Sequence, residues 1–226
     1  MTSSSKLVLP AFAVVIAVLA AVLGPQSLNS LDLSTYTIDG IPFPSALKIG
    51  SPQSFIGGGT RSKWGFKVYA VGIYGEKKIT NSMIKKYSGL STEKMLKTNS
   101  LFGDFSEDKA GKTLLLRFHR EVGASDVADA LGEALNPRLG DEKANKFQTF
   151  ILDMVGGDRV VKGSDIYITC KGEKLLASTT GKASGASTID MKGLCPAIFM
   201  VYLGDRPVSP QAKEGFVKGF EALTKQ

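Results

Sequence analysis

Residues 64–74, WGFKVYAVGIY, constrain the fold more than any other stretch of this chain. They are rich in aromatic and β-branched side chains, which suit a pleated, half-buried surface. Phe66, Val68, Ala70 and Gly72 alternate with Lys67, Tyr69, Val71 and Ile73, and Val71 and Ile73 leave both faces apolar at the strand end. A strand with one face under helices and the other lining a pocket reads this way. Residues 112–119 (KTLLLRFH) read as a second strand, and 165–170 and 174–178 as a hairpin about Lys171-Gly172-Glu173. Gly57-Gly58-Gly59 is expected to be a turn before the first strand.

Helical spacing separates these strands. Ile79, Met83, Ile84 and Tyr87 recur at three-to-four intervals, and Ser91 is placed to cap a short helix carrying Met95 and Leu96, with Lys94 where a capping-box acid would sit. Phe102 and Phe105 are expected in a loop. Residues 124–135 form a helix with Ser125 as N-cap, Asp126 and Asp129 in its first turns, Val127, Leu131 and Leu135 as its buried stripe, and Pro137 as its stop. A further helix covers 141–155 and ends at Gly156-Gly157. Residues 192–203 are apolar and read as strand or helix. Ser209 caps a last helix, with Pro210 in its first turn and Phe216, Val217 and Phe220 on its inner face. Hairpins grouped apart from helices predict an α+β fold and not a doubly wound parallel sheet.

The ends of the domain follow from composition. Lys6 precedes 17 residues without a charge, 7–23, and Gly24-Pro25 ends them. As a helix this run reaches about 26 Å, just short of a ~30 Å hydrocarbon core. Residues 1–25 are therefore expected to be a cleaved signal or a retained anchor, giving a membrane-targeted protein of the secretory pathway or an organelle. Residues 26–226 are expected to form one domain. Within it, 26–52 is an entry segment in which Leu31, Leu33 and Tyr36 suggest a weak strand and Ile41, Phe43 and Leu47 can reach a core, although Pro42, Pro44 and Pro52 interrupt any long element. The organised part is expected to start near Phe55.

Charge and chemistry narrow the function. The net charge is +7, with lysines dispersed and no basic tract, so nucleic acid is excluded as a partner. The charge reads either as a plain basic surface or as an attraction to anionic lipid or an acidic partner. Two cysteines, Cys170 and Cys195, and the single His119 do not make a zinc site, and a Cys170–Cys195 disulfide requires an oxidising compartment. The chain lacks the nucleophile elbow, the phosphate-binding loop, the H-E-x-x-H pair and the dinucleotide fingerprint, so no cofactor is expected. One pair stands apart. Arg61 follows the glycines and Tyr69 lies in mid-strand; on one face they would hold a carboxylate by two guanidinium N–H donors and a phenol. Otherwise Arg61 is simply solvated and Tyr69 packs.

The run GGGTRSKWGFKVYAVGIYGE at 57–76 resembles the opening sheet motif of the chalcone isomerase-like family. STEKML at 91–96, the spacing from strand 112–119 to helix 124–135, and YLGDRPVSP at 202–210 extend the likeness over roughly residues 40–224. The resemblance implies an open-faced β-sandwich, an antiparallel sheet with helices on one face and a cleft between them. It implies that Arg61 is the family's guiding arginine. Tyr69 stands where true isomerases carry threonine and fatty-acid-binding members carry tyrosine. Val127, Ala134 and Val201, the last beside Tyr202, stand where the isomerases place a tyrosine, an asparagine and a threonine. Loss of three polar groups disfavours a polyphenol and suits an alkyl chain. The expected function is non-catalytic binding of a fatty acid or similar apolar carboxylate by a monomer through Arg61, Tyr69, Val71, Val127, Leu131, Ala134, Val201 and Tyr202. The alternatives are an intramolecular lyase and a ligand-free auxiliary protein.

Overall fold

The computed structural model describes residues 35–225, and their longest feature is a hairpin of two strands, β4 (Ser51–Lys63) and β5 (Phe66–Gly75). Trp64 and Gly65 alone join them, both at positive φ, as a two-residue hairpin turn matched to strand twist requires. Three short strands precede the pair: β1 (Thr35–Ile38), β2 (Ile41–Pro44) and β3 (Ala46–Ile49). Three follow in the same sheet beyond β6 (Lys112–Phe118): β9 (Asp165–Lys171), β10 (Lys174–Ser178) and β11 (Ser187–Asp190), while β7 (Val122–Gly123) and β8 (Arg159–Val160) make a separate small ladder. The main sheet has seven antiparallel strands in the order β11-β10-β9-β6-β5-β4-β3. The organised chain therefore begins by Thr35, earlier than the expected start near Phe55. Pro42 and Pro44 lie in the four-residue β2 and Pro52 at the start of β4, before its pairing with β5 begins at Ser54, where a missing N–H is tolerated.

Seven helices are described: α1 (Lys77–Tyr87), α2 (Thr92–Leu96), α3 (Asn99–Glu107), α4 (Ala124–Leu139), α5 (Asp141–Val155), α6 (Leu194–Leu203) and α7 (Pro210–Thr224). Phe102 and Phe105 are not in a loop; they are the buried face of α3 and meet Phe216 of α7 and Phe199 of α6. Ser125 does not cap α4. Gly123 occupies that place, and the first helical N–H, on Ala124, donates to the Asp158 carbonyl at 2.8 Å. Pro137 does not stop α4 either. It falls in the last turn, where it removes one hydrogen bond, while Arg138 Nη1 donates to the Ala134 carbonyl at 2.8 Å and Gly140 N–H to that of Asn136 at 2.9 Å. Ser91 and Ser209 do cap α2 and α7.

The two faces of the sheet are covered differently. Val71, Ile73, Leu114, Leu116, Ile166 and Ile168 face the helices and form the main core. Ala70, Tyr74 and Leu115 face the other way, against Phe43 of β2. A polar clasp holds the β1–β2 hairpin there. Arg117 makes two hydrogen bonds of 2.7 Å to Asp165, lies 5.5 Å from the Phe43 ring and donates to the Pro42 carbonyl, and Tyr74 Oη donates to Pro44 at 2.9 Å. Cys170 of β9 and Cys195 of α6 form a disulfide, with Cα atoms 5.7 Å apart, that ties α6 to the sheet. No helix among the described residues is long and apolar enough to cross a membrane. Residues 7–23, and Leu31 and Leu33, lie outside the described residues.

Gly57-Gly58-Gly59 is not a turn. These residues lie in mid-strand in β4, and their role is close approach. A Cβ on Gly57 or Gly59 would overlap the backbone of α7 at Gly215 or Gln211, and one on Gly219 would overlap the Ile56 carbonyl. Helix propensity favours alanine over glycine by about 1 kcal/mol. Steric overlap reverses that sign, so Gly219→Ala is expected to destabilise by about 2–3 kcal/mol in denaturant titration. Gly157→Ala, with open space around it, is expected to be near neutral.

Lys112 is 1% exposed, its ammonium bound to the Asp108 carbonyl and set 5.4 Å from the Phe199 ring. Burial pushes its pKa down to about 8, against the pull of Asp108 and Glu107. The unfolded chain, with an ordinary lysine pKa near 10.4, holds that proton over a window where the folded protein has released it. Stability from this group therefore rises with pH between about 8 and 10.4, by roughly 3 kcal/mol. Lys112→Met is expected to remove that rise and to be more stable than wild type at neutral pH, as read from denaturant midpoints across the window.

Candidate ligand-binding site

Arg61 and Tyr69 are cross-strand partners in the β4–β5 register, so both side chains project toward the helices. Arg61 Nη1 donates to Tyr69 Oη at 3.3 Å, and the guanidinium carbon lies 5.8 Å from the ring centroid. The Tyr69 hydroxyl also meets the Tyr202 hydroxyl at 2.8 Å. Tyr202 is fully buried on α6, and burial holds its pKa well above the ordinary phenol value. Tyr202 is therefore a neutral phenol. Burial opposes the charge on Arg61, but Tyr69, Tyr202 and the Glu133 carboxylate outweigh it, and the pKa of Arg61 stands above its ordinary value.

These groups sit at one side of a cleft of about 390 Å³ between the β4–β5 hairpin and α4. That volume is at the small end of the range for ligand sites, enough for one small ligand. Val68, Val122, Val127, Ala130 and Leu131 supply apolar wall, and Tyr69, only 3% exposed, marks the buried end. Lys63, Trp64, Phe66 and Arg120 stand at the rim with Asp126, Asp129 and Glu133 of α4.

Four of the eight residues expected in the site, Arg61, Tyr69, Val127 and Leu131, line this cleft. Tyr202 lies behind it and reaches it only through Tyr69. Val71 and Val201 are fully buried in the core, and Ala134 is half-buried on α4. Strict alternation also misplaces Phe66 and Val68. The register shifts between Arg61 and Ser62, leaving Val68 with no partner on β4. A bulge of one residue turns the side chains beyond it to the opposite face. Phe66 and Val68 therefore join Tyr69 on the cleft. The three-to-four spacing of Val127, Ala130 and Leu131 was the signal that could have found Ala130. Nothing in the sequence marks the bulge.

A seven-stranded antiparallel sheet with helices on one face, and a cleft between them headed by an arginine and a phenol, defines an open-faced sandwich. The chain belongs to the chalcone isomerase-like family, whose model matches residues 35–217. It is 26% identical to fatty-acid-binding protein 2 of Arabidopsis thaliana, over 83% of this chain and 52% of that protein. It is 24% identical to fatty-acid-binding protein 1 of the same plant, over 81% of this chain and 69% of that protein. The chain thus spans about half the length of the first of these relatives. The crystal structure of an Arabidopsis thaliana fatty-acid binding protein matches with a TM-score of 0.68 at 22% identity, over 85% of this chain and all of that one, which shows the fold.

Tyr202→Phe tests the phenol pair. Tyr69 accepts from Arg61 and shares with Tyr202 one hydrogen bond in which either hydroxyl can be the donor. Removing the Tyr202 oxygen takes away that buried hydrogen bond, and a loss of about 1–2 kcal/mol in unfolding free energy is expected.

Proposed function

We propose that this protein binds a fatty acid or similar apolar carboxylate in the cleft between the β4–β5 hairpin and α4, without catalysing a reaction on it. The observation that carries the reading is the Arg61–Tyr69–Tyr202 chain at the buried end of an otherwise apolar wall. Arg61 would compensate the carboxylate charge and Tyr69 would donate one hydrogen bond. The Tyr202 hydroxyl can be the donor of its bond to Tyr69, so that Tyr69 accepts from both neighbours and its own O–H is left to donate to the ligand. With a carboxylate present both phenol protons then have acceptors, whereas the single bond between the phenols uses only one of them. The names of the two Arabidopsis relatives support the same ligand class. Val127, on the cleft wall where the resembled isomerases place a phenol, argues against ring closure.

The tail and the head group make separable contributions. Burying alkyl chain contributes about 0.8 kcal/mol per CH₂ and discriminates little between head groups. Arg61→Ala leaves the carboxylate poorly paired, and a loss of about 2–4 kcal/mol in binding is expected. Tyr69→Phe is expected to lose about 0.5–1.5 kcal/mol, and the two losses are not additive because both groups act on one carboxylate. Titration of a fatty acid and its methyl ester against wild type and Arg61→Ala checks this. The acid is expected to bind more tightly than the ester to wild type, with the gap narrowed in the variant. Equal binding of acid and ester to wild type defeats the head-group assignment.

A further inference from the structure

We infer that the hairpin tip at the cleft rim docks the protein on an anionic lipid surface, with Trp64 and Phe66 inserted at the interface and Lys63, Arg120 and Lys162 facing the head groups. The first support is an exposure that folding does not explain. Trp64 is 85% exposed and Phe66 63% exposed, although both are large aromatic side chains. Trp64 also occupies the first position of the two-residue turn at φ 51°, a left-handed conformation in which asparagine, aspartate or glycine is the unstrained choice. A tryptophan there costs stability and gains little packing within the chain in return. Tryptophan side chains concentrate where an apolar ring meets water and lipid head groups together.

The second support is charge. Lys63 Nζ lies 4.7 Å from the Trp64 ring and the Arg120 guanidinium 5.6 Å from the Phe66 ring, so each aromatic side chain has a cation beside it. Lys162 belongs to the same end of the sheet: it acts electrostatically on His119, whose N–H donates to Val68 of β5. Val161, beside it in sequence, is 52% exposed. Two other cations nearby are committed, Lys67 to Asp39 at 3.3 Å and Arg159 to Glu121. Among the described residues no carboxylate pairs with Lys63, Arg120 or Lys162. The acids of the rim, Asp126, Asp129 and Glu133, stand on α4, the opposite wall. An apolar tip ringed by free cations matches an anionic bilayer surface. Resting on the fatty-acid reading, the same contact places the cleft entrance at the bilayer, where an acyl ligand transfers without crossing water.

Trp64 is the only tryptophan in the chain, so its emission reports on the tip whatever other part of the protein touches lipid. The full chain is to be mixed with vesicles of phosphatidylcholine alone and of phosphatidylcholine with phosphatidylserine at about three to one. The expected result is a blue shift with the anionic vesicles, quenching by lipids brominated near the head-group end of the acyl chain, and loss of both at high salt. Each cation near the surface contributes about fivefold, so Lys63→Gln combined with Lys162→Gln is expected to weaken partitioning about twenty-five-fold. Phe66→Ser, which keeps the reporter, is expected to weaken it about tenfold. Circular dichroism melting shows that each variant is folded. Emission unchanged by anionic vesicles overturns the proposal, including when the chain sediments with them, and so does an equal shift with phosphatidylcholine alone. A tip built for an acidic protein gives the unchanged emission. Fatty-acid titration without vesicles is read separately, so failure of the ligand assignment and failure of docking are distinguishable.

Discussion

The contact on which the site depends is between backbones. Strand β4 presents Gly57 and Gly59 to the helical layer, and α7 presents Gly215 and Gly219 to the strand. With no Cβ on either side the helix lies directly on the strand, closer than ordinary side chains permit. Two hydrogen bonds lock the sliding direction. Ser209 Oγ donates to the Thr60 carbonyl at 2.8 Å, and Thr60 N–H donates to Gln211 Oε1 at 3.3 Å. Both backbone polar groups of Thr60 are thus held by the start of α7, one residue before Arg61. Arg61 inherits a fixed backbone from a helix that does not touch the cleft.

The opposite end of the polar chain is fixed by other means. Tyr202 sits on α6, which the Cys170–Cys195 disulfide fastens to β9, and closing such a loop removes about 3 kcal/mol of entropy from the unfolded chain. Its hydroxyl is held away from solvent by complete burial. Tyr69 lies between two anchored groups and has nowhere else to place its oxygen. A buried polar atom with two partners in fixed positions is pre-organised, because little side-chain entropy is left to lose when a third group arrives.

The sequence was informative wherever a short-range rule decided the outcome. The β5 and β6 strands, the Gly172 hairpin, the Ser209 cap with Pro210 and the stripe of α5 are all local patterns. Arg61 and Tyr69 stood out by residue type and by resemblance, but their pairing was not legible: the tight turn at Trp64-Gly65 alone would set Arg61 opposite Val68, and the bulge brings Tyr69 there instead. What failed was tertiary. Three glycines in a row carry a turn signal, and only the distant Gly215 and Gly219 convert them into a packing surface. Phe102 and Phe105 lacked enough periodicity to declare α3, whose stability comes from contact with α6 and α7. Pro137 failed as a stop because Arg138 supports the last turn. The bulge opposite Arg61 is invisible in composition, yet it decides which aromatic side chains reach the cleft.

The electrostatics of the cleft bear on how selective such a site is. Tyr69, Tyr202 and, least of the three, Glu133 hold the pKa of Arg61 above its ordinary value against the effect of burial. Asp126 and Asp129 extend the same negative character along the α4 wall of the rim. Under the proposed function an entering carboxylate would gain Arg61 and the Tyr69 hydroxyl but would pass these acids first, and its net head-group gain would be smaller than the guanidinium contact alone suggests. The cations that offset the acids, Lys63 and Arg120, are on the hairpin side of the rim, next to Trp64 and Phe66. The rim is therefore polarised across its width: cations and aromatic rings on the hairpin and the segment after β6, carboxylates on α4. A ligand oriented by that field would enter with its acidic head along the hairpin wall, the wall that ends at Arg61 and Tyr69.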